Sequence, residues 1–96
     1  MTTFWHLVDF EDRLNRWLDL EEPDPAVRDA VVEWILTAAD DVYSGARRHP
    51  ELGGNYWLVE VPDSIRNGQV VVCGYWIDED TRAVTCDTIA TLSLPL

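Results

Sequence analysis

The last third of the chain shows three apolar-rich segments with the pattern of an antiparallel sheet, the middle one almost wholly apolar as a central strand would be. Residues 55–61, 69–77 and 83–92 each carry aromatic or β-branched side chains at strand spacing. Asn67 and Gly68 form a strong turn signal between the first two segments. The pattern therefore predicts a three-stranded meander, and we expect it to be the scaffold of the domain.

Two helices are predicted before the meander. Residues 11–20 place apolar side chains on one helical face, and Asp24 followed by Pro25 opens a second helix that extends to about Ser44. Residues 3–10 fit a short strand or the entry to the first helix, and we favour the strand. The chain is thus predicted to be one α+β domain, residues 1–96, with two N-terminal helices packed on a three- to four-stranded antiparallel sheet.

Glycine and proline interrupt this pattern in two places. Pro50, Gly53 and Gly54 predict a loop over residues 46–54. Gly74 lies inside the otherwise apolar second strand, where it indicates a bulge or a close approach by a neighbouring backbone.

The chain is strongly acidic, with 18 acids against seven arginines and a formal net charge of -11. This charge does not favour direct binding to nucleic acid or to anionic membranes, because both require clustered cations. Twelve of the acids lie between Asp9 and Glu51, on or beside the predicted helices. Such a distribution favours a basic partner, although it is also typical of a solvated helical surface.

The cellular location follows from what the first residues and the cysteines suggest. Residues 1–9 lack the positive start and the apolar run of a signal peptide, and no window approaches the roughly 18 apolar residues of a membrane span. We therefore expect a cytoplasmic protein with Cys73 and Cys86 reduced. We predict no cofactor and no metal site, since neither cysteine has zinc-site spacing or a nearby histidine.

The relative placement of the two cysteines depends on strand register. Pairing of Ile77 with Arg82 would set Cys73 opposite Cys86, whereas pairing of Ile77 with Ala83 would put the two thiols on opposite faces. The sequence leaves both registers open. Small buried hydrophobic residues are the more usual interpretation than a redox pair.

Arg47, Arg48 and His49 form the densest cationic group in the sequence. Arginine presents a bidentate fork, so the group could hold a phosphate or a carboxylate of a partner. The more usual interpretation is that the group complements the negative end of the second helix. The acidic cluster at residues 78–80 is interpreted as a solvated hairpin turn, and no nucleophile lies beside a base, so an enzyme is not indicated.

The order of these segments resembles a known family. A loop at residues 49–53 leads into the strand at 56–61, and a second strand passes through Tyr75 and Trp76 into a short acidic turn. A third strand around residues 84–89 completes a pattern that resembles the RelE/ParE toxin superfamily. The resemblance covers mainly residues 49–89, and it implies the same α+β fold and an association with a toxin–antitoxin or related module.

The resemblance also implies which activity to expect. Family members that cut messenger RNA are basic and carry Arg or Lys on these strands, with His, Arg or Tyr near the C-terminus. The matching positions here are Leu58 and Glu60, and residues 88–92 carry no cation. The resemblance therefore implies action by protein binding, as ParE-type members bind a topoisomerase, without ribonuclease activity.

The sequence thus predicts a protein partner, either antitoxin-like or a basic target. We predict that the partner contacts Arg47, Arg48 and Trp57, with Tyr75 as a weaker candidate. An open edge strand or an exposed tryptophan would also be compatible with a homodimer. The alternative is an acidic binding module, such as an immunity protein, an inhibitor or a nucleic-acid mimic, that binds a basic partner.

Overall fold

A computed structural model describes residues 5–52 and 54–95 of the chain. Its elements, in chain order, are β1 (His6–Val8), α1 (Phe10–Glu21), α2 (Pro25–Ala38), β2 (Ala46–Arg48), a 3₁₀ turn (Pro50–Leu52), β3 (Tyr56–Glu60), β4 (Gln69–Asp78) and β5 (Ala83–Ser93). The five strands form one sheet in the order β1-β5-β4-β3-β2. β1 runs parallel to β5 and the other neighbours are antiparallel, so the sheet is mixed.

The predicted α+β class and the three-strand meander are confirmed, because β3, β4 and β5 overlap the three predicted segments. The finer prediction needs correction: the sheet has five strands rather than three or four, it is not wholly antiparallel, and β1 precedes both helices. β2 occupies the predicted loop, because three residues carry too little alternation to be recognised. Thr3, Phe4 and Gly53, which the predictions included, lie outside the described residues.

Helix α2 begins as predicted but ends at Ala38 rather than near Ser44. The Thr37 hydroxyl donates a hydrogen bond to the Trp34 carbonyl at 2.9 Å, and the Asp40 N–H donates to the Thr37 carbonyl at 3.1 Å. Asp40 is followed by a second aspartate, and carboxylates are disfavoured at the negative end of a helix dipole. These residues stop the helix one to two turns before its predicted end near Ser44.

The core fills the space between the two helices and one face of the sheet. Trp17 from α1 and Val31 from α2 are 2% and 0% exposed. Tyr75 from β4 packs with Phe10 and Trp34, with ring centroids 6.1–6.3 Å apart, and such contacts add to the gain from area burial. The sheet contributes Val59, Val61, Val71, Cys73, Tyr75, Ile77, Val84, Cys86 and Ile89.

Helix α1 also covers the part of the β5 edge that β1 leaves unpaired, since β1 pairs with only the first three residues of β5. Arg13 Nε donates to the Asp87 carbonyl at 3.0 Å, and the Thr91 N–H donates to the Glu21 carboxylate at 3.2 Å. The indole N–H of Trp17 donates to the Thr91 hydroxyl at 3.0 Å. These side chains satisfy polar groups that an open strand edge would expose.

Both registers considered for the cysteines were wrong, because Ile77 pairs with Val84. A register shift leaves Asp87 of β5 without a partner in β4 and brings Cys73 and Cys86 to the same, helix-facing side. Their sulfur atoms lie 3.8 Å apart and both thiols are buried. The adjacent Cys86 thiol and burial raise the pKa of Cys73 well above its ordinary value, which is typical of an unreactive buried pair.

Gly74 lies beside this shift because the Tyr56 ring occupies the space that a side chain would need. A Cβ at Gly74 would overlap the Tyr56 hydroxyl oxygen and lie 2.9 Å from its Cζ. The hydroxyl in turn donates to Asp87 Oδ2 at 2.8 Å, and burial raises the pKa of Tyr56 above its ordinary value. The predicted irregularity is therefore present, but the close approach is made by a side chain rather than by backbone.

Gly74→Ala is expected to lower the free energy of unfolding by about 1–3 kcal/mol, because the added methyl group would displace the Tyr56 ring from Asp87. Urea denaturation followed by tryptophan fluorescence measures the loss. The same change should cost less in a Tyr56→Phe background, where the hydroxyl oxygen is absent. Equal costs in the two backgrounds would contradict the assignment of this contact.

Candidate functional site

The face of the sheet opposite the helices, which we call the outer face, carries a groove of about 510 Å³. Its floor is formed by Leu58, Val72 and Ala90, with Thr88 and Leu92 beside them. These residues alternate along β3, β4 and β5 with core side chains that face the helices. In the described part of the chain both helices lie on the other side of the sheet. Leu58 and Ala90 are partly exposed and Leu92 is 41% exposed, whereas Val72 at the centre of the floor is only 7% exposed.

Strand β2 supplies a cationic wall to the outer groove. Arg47 pairs in register with Leu58 and lines the groove together with His49. Arg48 is the next residue along the strand, in register with Trp57, and it points to the opposite face. Both arginines are exposed, so both are accessible to a partner.

His49 adds little net positive charge to this wall, because the Glu51 carboxylate beside it offsets the charge of a protonated ring. Its Nδ1 lies 2.9 Å from Glu51 Oε1. A backbone hydrogen bond and then the His49 ring hold the pKa of Glu51 below its ordinary value. The positive charge of the wall therefore comes mainly from Arg47, and Arg48 adds an exposed cation on the other face of the same strand.

The other two predicted contact residues do not lie at this groove. Trp57 is half-buried on the helix-facing side, where its ring packs edge-on against Tyr43 at 5.1 Å and its indole N–H donates to Asn55 Oδ1 at 2.9 Å. Tyr75 is 1% exposed, and its hydroxyl donates to the Val42 carbonyl at 2.8 Å. The structure thus brings Arg47 and Arg48 together on one strand and places Trp57 and Tyr75 in or against the core.

The sequence analysis did not name the apolar residues of the outer groove as contact residues, because their pattern is that of an ordinary strand. The alternation of Thr88, Ala90 and Leu92 along β5 was the available signal, since it continues the apolar surface beyond Leu58. Trp76 was also missed; it is 41% exposed on the same face and packs edge-on against Tyr56 at 5.1 Å. Alternation identifies a shared face, but it does not show whether a helix will cover that face.

The acidic cluster at residues 78–80 has a structural role in the hairpin. Asp78 Oδ1 accepts hydrogen bonds from the N–H groups of Asp80 and Thr81 at 3.0 and 3.3 Å, which closes the turn between β4 and β5. Among residues 5–52 and 54–95, no three His, Cys, Asp or Glu side chains gather as a metal site would require. The cluster is therefore a turn, as the sequence indicated.

Comparisons of the chain with protein-family models, with curated proteins and with solved structures found no match. None of the helices in the described part of the chain is long and apolar enough to cross a membrane.

The buried position of Tyr75 predicts a loss of stability in alkali. Burial raises the pKa of Tyr75 above its ordinary value of 10.0. The folded state thus favours the protonated phenol, so its contribution is complete below about pH 10 and is lost as the pH rises towards the folded-state pKa. Each such group lowers the free energy of unfolding by about 1.4 kcal/mol per pH unit in that window.

Urea denaturation at a series of pH values from about 8 to about 11 measures this slope. Tyr75→Phe should reduce this slope by the contribution of one titrating group. Part of the slope should remain, because the pKa of Tyr56 is also raised. A variant whose slope equals that of the unaltered chain would contradict the prediction.

Proposed function

We propose that the chain acts by binding another protein, as a RelE/ParE-like component of a toxin–antitoxin or related module, without ribonuclease activity. The observation that carries the proposal is the outer groove, which joins a partly exposed apolar floor to strand β2. This strand carries Arg47 on the groove side and the exposed Arg48 on its other face. Apolar contact supplies binding free energy, and arginine supplies orientation and specificity.

The chemistry of this surface favours an acidic, extended partner segment. β2 lies at the edge of the sheet, and an extended segment can pair with the open backbone of an edge strand. Carboxylates on that segment would pair with the guanidinium forks of Arg47 and Arg48. Apolar residues flanking the paired strand would then fill the groove over Leu58.

The excess of acidic residues elsewhere in the chain makes the β2 edge the favoured site for an acidic segment. With a net charge of -11, most of the surface repels an acidic segment. Charges more than about 8–10 Å apart are largely screened at physiological salt, so the contact depends on the charges immediately beside it. An acidic segment is therefore directed to the β2 edge, where Arg47 and Arg48 lie together.

A second copy of the chain is a less favourable occupant of this edge than an acidic partner. Antiparallel pairing of two β2 strands about a two-fold axis would bring four arginines together, and like charges on facing strands are destabilising. The arginines on β2 therefore do not favour the homodimer that an open edge would allow. Measurement of the oligomeric state in solution tests that homodimer.

The positions at which ribonucleases of the resembled family carry cations support binding rather than cleavage. Leu58 forms the floor of the outer groove and Glu60 lies beside it. A carboxylate at this place would repel the phosphates of a messenger. The groove is therefore better suited to apolar side chains of a protein than to an RNA backbone, and carboxylates of the partner would lie towards Arg47 rather than Glu60.

Reversal of the two arginine charges on β2 tests the proposal. Arg47→Glu combined with Arg48→Glu should reduce the partner retained by the immobilised chain roughly tenfold, because two ion pairs become repulsive contacts. Quantitative mass spectrometry of proteins retained from lysate of the source cells identifies the partner and measures its amount. The expected partner carries an acidic segment, and added salt should weaken its retention.

Arg28→Glu provides the matched control, because Arg28 is also exposed but lies on α2, 3.2 Å from Asp29. It should retain the partner as well as the unaltered chain does. Equal losses for the control and the β2 double variant would show only a general effect of charge. Retention that is unchanged by the double variant would reject the β2 edge as the binding site.

The proposal also predicts that ribosome-bound messenger stays intact. Purified protein added to a translating extract should leave primer-extension products the same as those without protein, since the groove lacks cations on β3 and at the end of β5. New cleavage products that disappear with Arg48→Ala would overturn this expectation. Arg28→Ala would control for loss of positive charge in that assay.

A further inference from the structure

A second groove, of about 660 Å³, lies between α1 and α2 and takes no part in the proposed function. We call it the helix groove. Phe10, which is 4% exposed, lies at the bottom of the groove, and Leu36, which is 75% exposed, lies on its rim. Its apolar lining consists of Leu7, Phe10, Leu14, Val32, Ile35 and Leu36. A soluble domain rarely leaves an apolar channel of this kind between two helices without a use.

The rim of the helix groove is acidic. Asp9, Glu11 and Asp12 line it and all three are exposed, and none of the lining residues is basic. Their place at the start of α1 suits the positive end of the helix dipole. Arg13 is the nearest cation in sequence; it contacts Asp12 at 3.1 Å but also donates to the Asp87 carbonyl, which holds it towards β5.

We infer that the helix groove binds a cationic amphipathic helix of another protein. Apolar side chains at positions i, i+3, i+4 and i+7 of such a helix would meet the apolar lining. Lysine or arginine on the flanks of its apolar stripe would pair with the carboxylates of Asp9, Glu11 and Asp12. Leu36 is the exposed apolar anchor on this surface, and such anchors carry much of the binding free energy.

Charge complementarity separates this occupant from the others. A second copy would bring two chains of net charge -11 together with rim facing rim. The acidic segment proposed for the outer groove would be repelled here for the same reason. A cationic helix is the occupant that satisfies both the apolar lining and the carboxylates.

A designed peptide tests the inference on the full chain. The probe is an amidated peptide of about 18 residues, long enough to form a helix on binding, with leucines at helical spacing and lysines on both flanks. A fluorophore at its N-terminus reports binding by anisotropy. Two further peptides serve as comparisons: one with the same residues in scrambled order, and one with glutamate in place of lysine.

The unaltered chain should bind the leucine–lysine peptide and not the two comparison peptides, and added salt should weaken binding. Asp9→Asn with Glu11→Gln and Asp12→Asn should weaken it about tenfold, since three ion pairs are lost. Asparagine suits the left-handed backbone at Asp9, where φ is 64°.

Matched variants separate the groove from general effects. Asp29→Asn with Asp63→Asn and Asp80→Asn removes the same charge from exposed positions outside the groove, and binding should change less than about twofold. Leu36→Asn should weaken binding about tenfold or more. Leu20→Asn, at a leucine that is 73% exposed on α1, should not.

Several outcomes would overturn the inference. These are binding of the scrambled or glutamate peptide as tight as that of the probe, equal weakening by the two charge variants, and no binding of the probe. Self-association that Leu36→Asn abolishes would assign the groove to a second copy instead. Arg47→Glu with Arg48→Glu should leave peptide binding unchanged, so this inference and the proposed function fail separately.

Discussion

Strand β4 lies in the middle of the sheet and is buried on both of its faces. Val70 and Val71 are adjacent, point to opposite faces, and are both 0% exposed. β4 pairs with β5 along its whole length and with β3 along half of it, so its position fixes both candidate surfaces. Val72 lies in the floor of the outer groove, and Tyr75 supports Phe10 at the bottom of the helix groove. A shift of β4 would therefore disturb both grooves together.

The two edges of this sheet are treated differently. At one side, β1 and the side chains of Arg13 and Glu21 satisfy the backbone of β5. At the other side, β2 is left open and carries Arg47 and Arg48. Charged residues on an open edge prevent strands of identical chains from pairing. The same arginines that oppose self-association can select a partner of opposite charge, which makes β2 the edge suited to recognition.

The sequence predicted most of the local structure, apart from β2 and the end of α2, but not the surfaces that arise when elements meet. Asn67 and Gly68 adopt the positive φ angles, 53° and 73°, of the turn that their pairing indicated, and the meander forms around them. Arg47 was predicted to lie in a loop, and the structure places it on the edge strand β2. The bulge at Asp87 does not follow from its neighbours in the sequence, because a register shift depends on packing across β4. The helix groove could not be predicted, since its width depends on how α1 and α2 cross. Tyr75 was placed on the correct strand, but the sequence did not show that it is buried in the core.

The acidic excess of the chain opposes association of identical chains through these two grooves. One groove has a cationic wall and the other an acidic rim, so a neutral version of the chain could associate head to tail through them. Such a contact does not close on itself and leads to open assemblies. A net charge of -11 opposes the approach of identical chains and lowers the stability of the folded state by self-repulsion, which burial of the core must offset. If the two grooves bind other proteins as proposed, this charge would keep them free of identical chains, and the local sign at each groove would select its partner.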